Sequence, residues 1–190
     1  MAAAKSPMSA HRAMIYSIGK HLEENMPRLE QVLFEFPGPN LKLKYPSLTV
    51  TSGNPAFSPL DPYLLSQGET DNHKASVKRV VGRYDLNMQL DFWARNKEER
   101  YILLEEFFVA FNSQVEPMGL SLQLEDYHDL WCRFSMDGYT LEDGEVSSQR
   151  GEWRARVAIL ANTMAVIEKD EFIIETVQST LRIEDSAIDE

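Results

Sequence analysis

Residues 79–114 read RVVGRYDLNMQLDFWARNKEERYILLEEFFVAFNSQ, and this stretch decides the fold. Its first half alternates strictly between apolar and polar residues. The apolar positions are Tyr84, Leu86, Met88, Leu90 and Phe92, and the polar positions are Arg83, Asp85, Asn87, Gln89 and Asp91. Because successive side chains of a strand point to opposite faces, the pattern predicts a strand with one apolar face and one wet face.

The second half of the stretch changes to helical spacing. Asn96 is placed to accept a hydrogen bond in a first helical turn, and Glu99 follows three residues later, as in a capping box. The main apolar positions from Lys97 onward are Tyr101, Leu104, Phe108 and Phe111. They recur at three- and four-residue steps and predict an amphipathic helix. The whole stretch is therefore a strand–turn–helix scaffold without an obvious reactive constellation.

The composition is that of an ordinary globular protein. A chain of 190 residues is long enough to bury a substantial core in one domain. Thirty acidic residues against nineteen basic ones give a formal net charge of −11. This balance argues against wrapping nucleic acid, which needs a basic footprint. The acidity fits simple solubility, or a surface that stays near nucleic acid without binding it.

Cysteine usage and hydropathy exclude several further classes. Cys132 is the single cysteine, which rules out an internal disulfide framework and a multi-cysteine metal site, and favours a reducing environment. We expect Cys132 to be a buried packing residue. No apolar run approaches the ~20 residues that a membrane span needs. The N-terminal MAAAKSPMSAHRAM lacks an apolar segment, so we expect no secretory signal.

The order of the elements predicts the fold class. We expect a helix, short strands, a long loop, the central strand and helix, and then several strands. Since strands and helices do not alternate regularly, a doubly wound parallel sheet is disfavoured. The predicted fold is α+β, with a mainly antiparallel sheet and one or two helices packed on one face. We expect a single domain at 9–183, a disordered start at 1–8 and a frayed acidic end at 184–190.

Residues 53–75, GNPAFSPLDPYLLSQGETDNHKA, are expected to form a long irregular loop. The reason is the recurrence of Pro55, Pro59 and Pro62. The segment is too apolar for a free linker, so it should dock on the body of its own subunit or on a neighbour. Its apolar residues are Phe57, Leu60, Tyr63, Leu64 and Leu65. Further along, the run from Trp131 to Met136 predicts a strand that ends in a turn at Asp137-Gly138.

The common catalytic signatures are absent from the sequence. There is no Gly-rich phosphate loop, H-E-x-x-H, paired C-x-x-C or G-x-S-x-G motif. The sharpest enzymatic alternative uses Glu125, Asp126 and His128, which would bind a divalent metal or form an acid–base pair. The competing interpretation is a polar turn between two strands. We therefore assign no catalytic, metal-binding or cofactor-binding residue and expect no enzymatic activity.

Several residues are candidates for an interface between subunits. Trp93 lies on the polar side of the central strand, either under the following loop or at an interface, where tryptophan is enriched. Arg154 and Arg156 would form ion pairs within the chain or across an interface. The candidates are Asp85, Asp91, Trp93, Phe57, Tyr63, Arg154 and Arg156.

The run RYDLNMQLDFWA (83–94), the charged turn RNKEER (95–100) and the helix after it resemble the core of tail terminator, or neck, proteins of tailed bacteriophages. In that family a strand ending in a tryptophan leads through a short charged turn into a helix. The order of elements is similar over most of the chain, and the resemblance is specific over residues 83–111. These motifs are structural rather than catalytic.

The resemblance implies a ring, typically hexameric, that caps the tail tube and joins it to the head connector. The implied partners are other copies of the chain, the tube, possibly the sheath, and the connector, in a virion assembled in the host cytoplasm. DNA would pass through the centre without specific binding, and six copies would carry a formal charge of −66 (6 × −11). An acidic lumen repels phosphate. Another connector or baseplate subunit is the alternative within the same particle.

Overall fold

The computed structural model describes residues 10–38, 41–70, 74–112, 119–124, 127–142 and 153–172. These residues form two helices and seven strands. They are α1 (Ala10–Asn25), β1 (Gln31–Leu33), β2 (Ser47–Ser52), β3 (Ala56–Thr70), β4 (Lys74–Ala94), α2 (Lys97–Phe111), β5 (Gly119–Leu124), β6 (Tyr127–Glu142) and β7 (Trp153–Phe172). The predicted α+β class is confirmed. The predicted ends, 1–8 and 184–190, lie outside the described residues.

All seven strands belong to one sheet. Its order is β1-β2-β4-β7-β6-β5, and β3 pairs with the N-terminal half of β4. The β1–β2 pair is parallel and every other pair is antiparallel. The axis of the sheet is the β4–β7 pair, in which Lys74 opposes Phe172 at one end and Ala94 opposes Trp153 at the other. At ~3.3 Å per residue, the 21 residues of β4 extend about 70 Å.

Both helices pack on the same face of the sheet. The apolar side of β4 is buried as its alternation predicts: Leu86, Leu90 and Phe92 are fully buried in one cluster with residues of α1 and α2. The ring of Phe107 on α2 lies 5.3 Å from that of Phe92. A half-apolar strand and an amphipathic helix thus bury each other's apolar surface. This burial is the main contribution to the stability of the helices and the part of the sheet that they cover, which we call the body.

The turn between β4 and α2 has the predicted capping geometry. The side chain of Asn96 accepts a hydrogen bond from the backbone N–H of Glu99, at 2.8 Å. The Glu99 carboxylate in turn accepts from the backbone N–H of Arg95, at 2.6 Å. These two bonds satisfy donors that the start of a helix leaves open, and so they fix where α2 begins.

The irregular loop predicted for residues 53–75 is wrong, because Ala56–Thr70 form strand β3. β3 pairs with β4 from Ala56 opposite Asp85 to Thr70 opposite Lys74. The register shifts between Pro59 and Tyr63 and again between Leu64 and Ser66. β3 lies at an edge of the sheet, where a proline without an N–H is tolerated. The prolines that indicated a loop therefore mark an edge strand with irregular pairing.

The turn predicted at Asp137-Gly138 is also wrong. β6 continues through these residues to Glu142, and the register against β7 shifts between Met136 and Gly138. An extra residue in one strand of a pair is a bulge, which keeps both strands in the sheet. The continuation matters because it brings Glu142 beside Arg154 of β7. Within the described parts of the chain, neither helix is long and apolar enough to cross a membrane.

Candidate functional site

The sheet face opposite the helices carries two rows of aligned side chains near the end of β4. Directly opposed residues of neighbouring strands lie on the same face, so the register defines the rows. One row is Ser47, Trp93, Arg154 and Glu142, and the other is Thr49, Asp91, Arg156 and Thr140. Strands β2, β4, β7 and β6 thereby place two acids and two arginines together.

Asp91 is the centre of this charged group. Its side chain is fully buried, and its Oδ1 lies 3.7 Å from Nε of Arg154 and 3.6 Å from Nε of Arg156. The other carboxylate oxygen, Oδ2, accepts a hydrogen bond from Gln89 at 2.7 Å. Arg154 and Arg156 also form ion pairs with Glu142, the latter at 2.9 Å. Two acids and two arginines leave the group electrically neutral, and we refer to these four residues as the ion network.

Aromatic rings pack against Arg154 of the ion network. The guanidinium of Arg154 lies 5.0 Å from the ring centroid of Trp93 and 5.9 Å from that of Phe36. The two rings meet edge to face at 5.7 Å. Trp93 also donates its Nε1–H to the hydroxyl of Thr49, at 3.0 Å. Covering a charge network with aromatic rings lowers the local dielectric and strengthens its electrostatic interactions.

Burial raises the pKa of the Asp91 carboxyl above its ordinary value of 3.8. The hydrogen bond from Gln89 and the charges of Arg154 and Arg156 act in the opposite direction without offsetting the desolvation. The ionised carboxylate is therefore less stable in the folded protein than in water. It follows that burying Asp91 costs desolvation energy, so the ion network does not provide a large net stabilisation.

The raised pKa predicts a pH-dependent comparison with the variant Asp91→Asn. Between 3.8 and the higher folded-state pKa, the folded protein keeps a proton that the unfolded chain has released. The stabilisation linked to Asp91 is thus fully present below pH 3.8, and it is lost as the pH rises through the pKa of Asp91 in the folded protein. We therefore compare the unfolding free energies of wild type and Asp91→Asn. The value for wild type minus the value for the variant should fall as the pH rises, by at most ~1.4 kcal/mol per pH unit. Urea denaturation at each pH measures it, and a rising difference would contradict the linkage.

The interface candidates on this face have different positions. Asp91 and Trp93 are buried, so the wet face expected for β4 is wrong at these two positions. Arg154 and Arg156 form ion pairs within the chain. Asp85 is half-buried and pairs at the surface with Arg83, at 3.0 Å. A charge reversal at Asp91 would consequently perturb the fold, whereas one at Asp85 addresses the surface.

A second feature is an extended arm, made of residues 56–70 of β3, 74–84 of β4 and 164–172 of β7. It lies beyond the pairing of β4 with β2, which ends at Met88, and of β7 with β6, which ends at Thr163. Seven apolar residues of the arm are between 36% and 52% exposed. They are Phe57, Leu60, Tyr63, Leu64, Leu65, Met164 and Ile167. The interface candidates Phe57 and Tyr63 therefore belong to an exposed apolar surface.

Both faces of the arm carry exposed apolar side chains. Tyr63 opposes Val80, and its neighbour Leu64 opposes Arg79. Consecutive strand residues point to opposite faces, so Tyr63 and Leu64, 45% and 52% exposed, mark the two sides. At the base of the arm the Phe57 ring lies over Gly82, where a Cβ would stand 2.3 Å from that ring and 2.7 Å from the Ser58 carbonyl. Gly82 thus permits the close approach of β3.

The enzymatic alternative finds no support among the described side chains. Glu125 and Asp126 lie outside the described residues, and for His128 only the backbone is described, within β6. In the part of the chain that the structure covers, no group of three His, Cys, Asp or Glu residues is placed to hold a metal ion. Cys132 is buried, as expected, and burial raises its pKa to about 12. Its thiol is therefore protonated at neutral pH and unsuited to nucleophilic attack.

Sequence patterns did not identify Glu142, Phe36 or the strand character of residues 56–70. Glu142 is in an acidic stretch where no acid stands out, and its pairing depends on the β6–β7 register. Phe36 reaches Trp93 across 57 residues of chain. Trp93 itself is a signal for this site, because it is an aromatic residue at a strand position where the alternation predicts a polar one. No protein-family model and no curated protein sequence matches the chain.

Proposed function

We propose that the chain is a structural virion protein that assembles into a ring, typically a hexamer, at the end of a bacteriophage tail tube. The ring joins the tube to the head connector, DNA passes through its lumen, and the tail sheath is a further possible contact. The observation that supports this proposal most is the arm, whose apolar side chains are exposed on both faces. It accompanies the resemblance of residues 83–111 to tail terminator proteins.

The exposed apolar area of the arm is of the size that subunit contacts use. At roughly 200 Å² for a side chain of this class, the seven partly exposed residues present on the order of 600 Å² of surface. The largest apolar patch of a typical monomer is ~300–600 Å², and a standard interface buries ~800 Å² per partner. The exposed apolar area of the arm is thus at the upper end of the range for a monomer, and it would supply part of one side of a standard interface.

The ion network supports a structural role in a different way. Its charged side chains pair within the chain and sum to zero charge, Asp91 is fully buried, and Arg154 packs against Trp93 and Phe36. A catalytic acid or base must reach a substrate, whereas buried and mutually compensated charges fix the register of the strands that contribute them. This arrangement suits a rigid subunit that must keep its shape in a ring.

The net charge is consistent with a conduit for DNA. A ring of six copies would carry −66 (6 × −11) formal charges. Negative charge around a lumen keeps phosphate from adhering, so that DNA slides through. A ring whose channel is basic and lined by arginine would contradict this part of the proposal.

Native mass spectrometry and negative-stain microscopy of the purified chain test the proposal. We expect annular particles with an open centre and a mass of about 131 kDa, six times the 21.8 kDa of one chain. Added tail tubes should be capped at one end by the same particles. A chain that stays monomeric at every salt concentration, and that leaves tubes uncapped, would contradict the proposed function.

A further inference from the structure

We propose that the arm of one copy packs into a groove on helix α1 of the next copy, so that subunits join head to tail. This inference rests on the proposed ring and deepens it by naming the two surfaces that meet. The groove is lined by Arg12, Ile15, Tyr16, Phe34 and Glu35, and we call it the α1 groove. Its occupant is the part of the neighbour's arm around Leu64.

The α1 groove is apolar at its floor and of suitable size. The rings of Tyr16 and Phe34 stack at 4.8 Å, yet they remain 43% and 37% exposed. Gly19 makes this possible, because a Cβ there would stand 2.5 Å from the Phe34 ring. The cavity volume is ≈ 200 Å³. A cavity of about 150 Å³ accommodates a benzene ring, so this one accommodates a leucine or aromatic side chain.

The arm cannot occupy the α1 groove of its own subunit. Phe34 follows Leu33, which opposes Thr49, and the next residue of β2 opposes Leu90 of β4. Leu64 opposes Arg79, eleven positions away along the same strand. At ~3.3 Å per residue this is about 36 Å, and the β4–β7 ladder holds the two points apart. The partner must therefore be another molecule.

Charge and edge chemistry favour a second copy of this chain as that molecule. The lining of the groove includes Arg12 and Glu35, and the arm carries Arg79 opposite Leu64 and Asp61 three residues before Leu64. Groove and arm thus each carry one acid and one base, so that opposite charges can meet. Pro59 and Pro62 lack N–H groups, which disfavours strand addition at that part of the β3 edge and favours contact through a face of the arm.

Two different surfaces on one chain make a heterologous contact. Such a contact repeats from copy to copy and closes into a ring when the rotation between copies fits. Each subunit then gives one arm and receives one. This geometry predicts how defective subunits behave when they are mixed.

Three variants, each an exposed apolar residue changed to glutamate, test the contact. Leu64→Glu disables the arm, Tyr16→Glu disables the groove, and Val109→Glu on α2 is the matched control, since Val109 is 79% exposed and belongs to neither surface. Each of the first two should be monomeric, with the contact weakened at least ~30-fold, as for a hot-spot residue. The control should form rings like wild type. Leu64→Ser and Tyr16→Ser serve if a glutamate variant fails to fold.

An equimolar mixture of the two disabled variants gives the decisive result. The intact arm of Tyr16→Glu can enter the intact groove of Leu64→Glu, but the remaining arm and groove of that pair are both defective. Native mass spectrometry should show a dimer of about 44 kDa, twice 21.8 kDa, and no ring. Rings of Leu64→Glu or Tyr16→Glu alone, or a mixture that stays monomeric, would overturn this contact while leaving the proposed function intact. A monomeric wild type would overturn both.

Discussion

Replacing Arg154 by alanine is expected to lower the free energy of unfolding by about 3 kcal/mol, the order found when one partner of a buried ion pair is removed. The Arg154 side chain is only 11% exposed, and it shares the fully buried Asp91 with Arg156. Its loss leaves that carboxylate with one arginine 3.6 Å away and leaves a gap beside the rings of Trp93 and Phe36. Urea denaturation at neutral pH, followed by circular dichroism, measures the change.

Arg83→Ala is the matched control for this experiment. Arg83 lies on the same side of β4, eight residues before Asp91, and pairs with Asp85 at 3.0 Å, but its side chain is 56% exposed. An exposed pair contributes ~1 kcal/mol or less. The double variant Asp91→Ala/Arg154→Ala should cost less than the sum of its single changes, because removing both charges leaves neither uncompensated. If Arg154→Ala costs no more than Arg83→Ala, the loss of Arg154 does not leave the buried Asp91 carboxylate uncompensated, and the prediction is wrong.

Local periodicity explains what could be predicted from the sequence. The alternation from Tyr84 to Phe92 and the helical spacing after Lys97 depend on neighbours in the chain, and both elements form as expected. The ion network depends on pairing between distant strands, where Asp91 meets Arg156 and Arg154 meets Glu142. A one-residue change of register would move these side chains to the other face. Alternation alone therefore places Asp91 on a wet face, and contacts with side chains of neighbouring strands bury it.

The sequence pattern does not predict the arm, and the reason is related. Prolines at positions 55, 59 and 62 usually mark loops, and their local signal dominates a short apolar run. In the fold, the long β4 provides a template that β3 follows despite two register shifts. The apolar residues of this segment indicate a surface that needs a partner. The sequence pattern does not indicate that a strand carries them. The sequence pattern does not predict how far β4 extends beyond its pairing with β2.

Removing the β3 and β4 parts of the arm is expected to abolish assembly while leaving the body folded. The variant replaces residues 59–82 by Asn-Gly, which joins Ser58 to Arg83 through a two-residue hairpin turn and keeps residues 164–172 of β7. Among the described residues, the buried cluster between the helices and the sheet includes none from 59–82. The body should therefore still unfold in one cooperative transition in urea, although the deletion also removes the buried Val77 and Val80 of the arm. Native mass spectrometry should find only a monomer of reduced mass.

A polar arm separates the effect of apolar surface from the effect of arm length. Changing Leu60, Tyr63, Leu64 and Leu65 to threonine keeps a residue type that favours strands, so β3 should still pair with β4. It removes four of the seven exposed apolar side chains, from both faces of the arm, and with them much of the driving force for burial against a neighbour. If both variants are folded monomers, the apolar surface of the arm holds the ring together. If the chain without its arm still forms full rings, assembly uses the body, and the arm must contact the tube or the connector instead.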